Sequence, residues 1–324
     1  MKAICYSRYG NPDVLHVEDV PTPEPGPGEI LVTVRAAEAT KSHCELRSFR
    51  YAVKWFWLPL RLAIGVRRPR RRILGGYFAG EIAALGPGVT GFAMGDAVFG
   101  SAGLRLGAYA EYVALPADSA IAPKPHDMTF TEPAAVPLGG LNALHFMRLA
   151  KISSRDTVLV NGAGGSIGAH AVQIARAMGG DVTGVDHTIK EAFVRRMGAS
   201  DFLDYTRVDF TAVGRRFDVI FDMVPRSHYG ACMRALRPGG RYLAGNPRLA
   251  VMVRSVLTTR LTDKTARVAL ARETKVELEA LRIMIERGDI GPVVDRVYPM
   301  AQAAEAHRLV ESERRLGAIV IEMA

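Results

Sequence analysis

The residues best suited to chemistry lie in one run, Asn161-Gly-Ala-Gly-Gly-Ser-Ile-Gly168. Its glycines, alanine and serine let a backbone close on a pyrophosphate, and a helix beginning inside the run adds unsatisfied amides and a positive dipole end. Asn161, Gly162, Ala163, Gly164, Gly165, Ser166, Ile167 and Gly168 are therefore candidates for holding a dinucleotide. Asp186 follows 18 residues after Gly168, close to the ~20 expected of a carboxylate that accepts hydrogen bonds from a ribose. His43 and Cys44 are neighbouring soft donors, but two such groups without a third do not make a zinc site. The pair reads as a satisfied histidine and a buried thiol.

The elements around the glycine run have the form that this chemistry needs. Val158, Leu159 and Val160 read as a strand buried on both faces. Ile167, Ala171, Val172, Ile174, Ala175 and Met178 recur at helical spacing, and Asp181–Asp186 reads as a second strand. Phe202–Tyr205, Phe217–Asp222 and Gly240–Ala244 are further strand candidates. A helix over Ser227–Leu236 is stopped by Pro238-Gly-Gly240, and Glu132–Leu149 is a small-residue helix. This alternation predicts a doubly wound parallel sheet. Residues 1 to about 115 instead carry many short strands broken by glycine and proline, with a long aromatic and basic insertion at 48–74, as in a barrel-like β domain. The chain closes with a helix at Val276–Glu286, then strand, helix and strand over Val293–Val297, Ala301–Glu311 and Ala318–Glu322.

With 324 residues, 48% of them hydrophobic, the chain can fill two cores. No apolar run is long enough to span a membrane: the best, at 55–66, is broken by Pro59 and Arg61. The first residues read as a strand and not as a signal peptide. Cys5, Cys44 and Cys232 are scattered, which excludes a disulfide framework and fits a reducing, cytoplasmic setting. The net charge of +9 is uneven, with five arginines in Arg67–Arg72. No aromatic-studded RNA motif accompanies them, so a solvated loop is favoured over a nucleic-acid surface.

Five motifs in order, Glu29-Ile-Leu-Val-Thr-Val34, Ala79–Phe99, Gly107–Val113, Asn161–Gly168 and Pro299–His307, give the chain a resemblance over nearly its whole length. It resembles the medium-chain dehydrogenase/reductases, and among them the zinc-independent, quinone-oxidoreductase-like branch. The resemblance implies an α/β protein with a GroES-like β-barrel substrate domain at 1–118 and a Rossmann doubly wound parallel sheet at 119–272. Residues 273–324 would return to the substrate domain, with the active cleft between the two. Zinc-bearing relatives have Cys where this chain has Thr40, Gly-His-Glu where it has Gly75-Gly76-Tyr77, and a third ligand near Leu138-Gly139, so no metal is expected. Relatives commonly have Asn-Pro-x-Asp in place of Thr40-Lys-Ser-His43, and an acid in place of Tyr77, which points to a different substrate choice.

By the same resemblance, Thr40, Ser42 and His43 fall beneath a nicotinamide, and Tyr51, Trp55 and Tyr77 on the substrate side. His43, Tyr77 or water would donate the proton. Lys190 and Tyr205 have the spacing of a pair that grips a 2′-phosphate in related reductases, while Asp186 pulls toward NADH; NADPH is placed slightly ahead. The expected activity is hydride transfer to a quinone, enone or other activated double bond in a small hydrophobic acceptor. The alternatives are a zinc-independent alcohol or aldehyde dehydrogenase, and a non-catalytic NADPH-binding protein contacting RNA through its arginines. A homodimer is expected, joined edge to edge near Gly240–Ala244 and the apolar run Leu249–Val253.

Overall fold

The structure is a computed structural model, and it describes residues 1–51, 57–246 and 248–323. Lys2–Cys5 (β1) pairs antiparallel with His16–Asp19 (β2). Glu29–Ala39 (β3) is followed by helices Lys41–Ser48 (α1) and Trp57–Ile64 (α2). Tyr77–Leu85 (β4), Ala97–Ser101 (β5), Tyr112–Pro116 (β6) and Ile121–Pro123 (β7) come next. Short β-branched and aromatic runs cut by glycine and proline favour such strands over helices.

Helices Thr131–Ala134 (α3) and Val136–Ala150 (α4) lead into the second unit. Thr157–Asn161 (β8), Ser166–Ala177 (α5), Asp181–Asp186 (β9), Glu191–Arg196 (α6) and Asp201–Asp204 (β10) alternate regularly. Phe217–Asp222 (β11), Tyr229–Ala235 (α7), Leu236–Ala244 (β12), Leu249–Leu261 (α8) and Thr265–Val268 (β13) continue the pattern. The strands form one parallel sheet in the order β10-β9-β8-β11-β12-β13. Val158, Leu159 and Val160 are fully buried, as strands covered by helices on both faces must be. The order reverses between β8 and β11, so their carboxyl ends flank the crevice where such sheets bind ligands.

The chain then makes Lys275–Glu286 (α9), Val294–Pro299 (β14), Ala303–Glu311 (α10) and Ala318–Glu322 (β15). Thr274 caps α9 by accepting from Glu277 N at 3.2 Å. Gly140 on α4 lets this helix come close, since a β-carbon there would lie 2.9 Å from a Leu281 methyl. β15 pairs antiparallel with β3, opposing Val320 to Glu38, and completes a sheet ordered β14-β15-β3-β4-β5-β7 with β6 also on β3. One apolar core joins Phe99, Ala122 and Val320 of this mixed sheet to Val136, Phe146, Val160 and Phe221 of the parallel unit.

The helix expected before Pro238-Gly-Gly240 is α7, which ends at Ala235; the proline and glycines lie inside β12, with Gly239 at φ +70° where the register against β11 shifts. One expectation needs correction: Gly240–Ala244 do not lie at an edge, because Arg241–Ala244 pair with β13, and Leu249–Val253 open helix α8. The four-residue β13, rich in polar groups, covers the strand that looked exposed. No helix among the described residues is long and apolar enough to cross a membrane.

Candidate active site

Strand β8 delivers the chain to Gly162, whose φ of +88° makes the turn that only glycine adopts freely. Helix α5 starts at Ser166 behind an extended Gly165, and no side chain caps it. Gly168 seats the helix on the turn, because a β-carbon there would lie 2.1 Å from Gly162 O. The buried Ser166 Oγ has no hydrogen-bond partner among the described residues. That hydroxyl has the buried Glu38 carboxyl beside it; the uncapped helix start behind a glycine turn is what fits the pyrophosphate of a dinucleotide.

Asp186, at the end of β9, is turned in toward this loop. It accepts from Gly164 N and from His187 N, each at 2.8 Å, and its Oδ1 lies 3.2 Å from Lys190 Nζ. Lys190 is itself buried, its stem so close over Gly164 that a β-carbon on the glycine would lie 2.4 Å from Lys190 Cδ. Tyr205 is exposed, edge-on to His187 with ring centroids 6.1 Å apart. Asn161 is engaged within the protein: its amide donates to Asp222 Oδ1 at 2.9 Å and to Ser227 Oγ at 3.0 Å. Asp222 also accepts from Val224 N and Tyr242 Oη, and burial raises its pKa against these bonds. Together they lock the carboxyl ends of β8 and β11.

After β3 of the mixed sheet, Thr40 caps α1 by accepting from His43 N at 3.1 Å, and Ser42 Oγ lies 2.8 Å from Thr40 Oγ1. The cap stands the buried His43 with Nδ1 3.2 Å from Tyr109 Oη. Its Nε2 faces Gly76, where a β-carbon would come within 3.3 Å. Burial pushes His43 down to about 3, so the imidazole is neutral. Tyr77 lies 6.3 Å away ring to ring and gives its hydroxyl hydrogen to Glu273 Oε1 at 2.9 Å. Burial, with Glu273 beside it, holds the Tyr77 phenol well above its usual range.

Thr40, Ser42, His43 and Tyr77 are thus brought to one place. Tyr51 sits edge-on to Phe49, and Arg61 stacks over Phe49 and Tyr9 at 4.1 and 4.2 Å. Trp55 lies outside the described residues.

Sequence reasoning missed several members of the site. Tyr109 and His307 join end to end behind His43. Glu273 reaches Tyr77 and Ser101 from the segment before α9. Glu38 is buried on β3 with one carboxyl oxygen unpartnered, and burial raises it to about 8. Only the Gly107–Val113 and Pro299–His307 motifs hinted at the first two. Cys44 Sγ lies 3.4 Å from His307 Nδ1, and burial lifts its thiol to about 12, which leaves it unreactive. Among the described residues no cluster of three or more histidine, cysteine or acidic side chains is placed to hold a metal ion.

A GroES-like sheet and a Rossmann sheet joined through one apolar core define the class. Two family models match: the alcohol dehydrogenase GroES-like domain over residues 26–126, and zinc-binding dehydrogenase over residues 197–321. A quinone oxidoreductase of Sus scrofa is 30% identical across 99% of this chain and 97% of its own. Another, from Pseudomonas aeruginosa, is 30% identical across 99% of both. The solved quinone oxidoreductase of Coxiella burnetii superposes with a TM-score of 0.88 at 27% identity, covering 100% of this chain and 99% of that one. The chain belongs to the medium-chain dehydrogenase/reductases, in their quinone oxidoreductase branch. It is an NAD(P)H-dependent reductase.

Proposed function

We propose that the protein passes a hydride from NADPH, in slight preference to NADH, to a hydrophobic quinone, enone or other activated double bond, without zinc. The observation that most supports this is the chemistry of the cleft wall. His43 is buried, Tyr77 half-buried, and both are neutral, so the wall offers hydrogen bonds and no strong base. A quinone or enone needs only that.

The bound dinucleotide supplies the hydride. In this reading the loop Gly162–Gly168 and the start of α5 hold its pyrophosphate, with Asp186 toward the ribose and Lys190 and Tyr205 toward a 2′-phosphate. Thr40, Ser42 and His43 form the floor beneath the ring, and Tyr51, Trp55 and Tyr77 border the acceptor. The acceptor gains the hydride and its electron pair, the negative charge collects on its oxygen, and a proton from water completes the product. The domain boundaries stay at 1–118, 119–272 and 273–324, the setting is cytoplasmic, and nucleic acid is not a partner. A homodimer is supported by exposed Leu249, Val253, Val256, Leu257 and Leu261 on α8, beside the β13 edge.

A zinc-independent alcohol dehydrogenase is the second reading, but it needs a base to take the alcohol proton, and His43 is a poor one. The RNA reading is weakened by the arginine run itself: Arg72 pairs with Glu18 at 2.7 Å, and Arg71 donates to Arg105 O. Anaerobic stopped-flow of bound NADPH and NADH against quinones, enals and enoyl thioesters tests the proposal. Rapid oxidation by at least one quinone or enal is expected. Failure with every acceptor, together with salt-sensitive RNA binding, would overturn it.

A further inference from the structure

A buried chain of hydrogen bonds runs from the end of α10 to the cleft, and its direction is fixed at one end. Arg47 on α1 is fully buried; it pairs with Glu311, donates to Gly10 O at 2.5 Å, and directs Nε at His307 Nδ1, 3.2 Å away. A guanidinium has donors only, so His307 Nδ1 must be bare and its proton must sit on Nε2. That nitrogen is 3.2 Å from Tyr109 Oη. The Tyr109 oxygen accepts there and passes its own hydrogen on. Its nearer acceptor is His43 Nδ1 at 3.2 Å, ahead of Glu38 O at 3.4 Å. The Glu38 carbonyl also lies beside the His43 ring and competes for a proton on Nδ1; with Tyr109 donating to Nδ1, a neutral His43 carries its proton on Nε2. This is the nitrogen that faces Gly76 and has no hydrogen-bond partner among the described residues.

We propose that Arg47, His307 and Tyr109 are positioning residues that set His43 in its Nε2–H tautomer, so that it donates a hydrogen bond to the acceptor's oxygen as the hydride arrives. His43 transfers no proton in this role. Bonds aligned in one direction from a buried cation polarise one another, which strengthens the last donor. The proposal rests on the reductase reading of the cleft.

Nitrogen-15 NMR of histidine-labelled protein, with the His43 signals assigned by their loss in His43→Gln, reads the tautomer without any turnover. Nε2–H is expected in the wild type, with a shift toward Nδ1–H in Tyr109→Phe, where Glu38 O becomes the available acceptor. The same variant should lose roughly 10- to 100-fold in kcat, as expected when a donor to a developing oxyanion is misdirected, while NADPH affinity by fluorescence stays unchanged. His307→Gln provides a second route should Tyr109→Phe fold poorly, and the same tautomer shift is expected. A wild-type His43 protonated on Nδ1, or a tautomer untouched in both variants, would overturn the proposal. A wild type that shows Nε2–H yet reduces no carbonyl acceptor would refute the reductase reading instead.

Discussion

Tyr77 Oη donates to Glu273 Oε1 at 2.9 Å, while the other carboxylate oxygen of Glu273 accepts from Ser101 Oγ. One acid from the segment between β13 and α9 therefore ties together two adjacent strands of the mixed sheet, β4 and β5.

Glu273→Ala leaves both hydroxyls without their acceptor. We expect a loss of about 1–2 kcal/mol in stability and a higher KM for the acceptor, with NADPH binding unchanged. An unaltered melting temperature and KM would show that the bridge is idle. The fold also disfavours the ionised Tyr77 phenol, so stability that is intact below about pH 10 falls as the pH climbs past it. Tyr77→Phe should blunt that alkaline loss in urea titrations.

Glu38 gives a second pH signature, at lower pH. Its carboxyl is raised from 4.5 to about 8 by burial, so the folded protein holds the proton that the unfolded chain releases. Stability from this group is complete below about pH 4.5 and declines as the pH rises toward 8. Replacing it with a neutral amide, Glu38→Gln, should make the protein roughly 2–4 kcal/mol more resistant at pH 8 relative to pH 5 than the wild type is. Parallel pH dependence in the two proteins would mean that Glu38 ionises freely.

On the proposed reading, cofactor choice turns on the buried pair Asp186 and Lys190. Lys190 cancels the charge with which Asp186 would repel a 2′-phosphate, so Lys190→Ala should lower the NADPH/NADH ratio of kcat/KM and Asp186→Ser should raise it. Each change is expected at about 1–3 kcal/mol, as for one charged contact. If Lys190→Ala leaves the ratio untouched while Asp186→Ser inverts it, the enzyme is an NADH reductase.

Purified protein should carry no stoichiometric zinc and should keep its activity in chelator. About one tightly held zinc per chain, with activity lost on its removal, would be the contrary result.

The dinucleotide loop was readable from sequence because a phosphate cradle imposes its demands on adjacent residues: a glycine turn, a helix start, and an acid one strand later. The wall of the cleft was not. Glu38, Tyr109, Glu273 and His307 come from four separated segments, and each is unremarkable locally; only tertiary packing places His307 behind His43. The inward turn of Asp186 was also hidden, because burial of Lys190 depends on the missing side chain of Gly164. The edge of the parallel sheet was misjudged for a different reason. Thr265–Val268 is too short and too polar to read as a strand, so its neighbour looked uncovered.

The return of β15 to β3 has a consequence for how the enzyme is made. Arg47 and His307 stand 260 positions apart, so the group that orients the cleft histidine leaves the ribosome long after that histidine does. Until then β3 lacks one neighbour, and Arg47 lacks both His307 and Glu311. A nascent chain stalled before residue 290 should expose that strand to chaperones and carry an unformed cleft, even where its glycine loop has already folded.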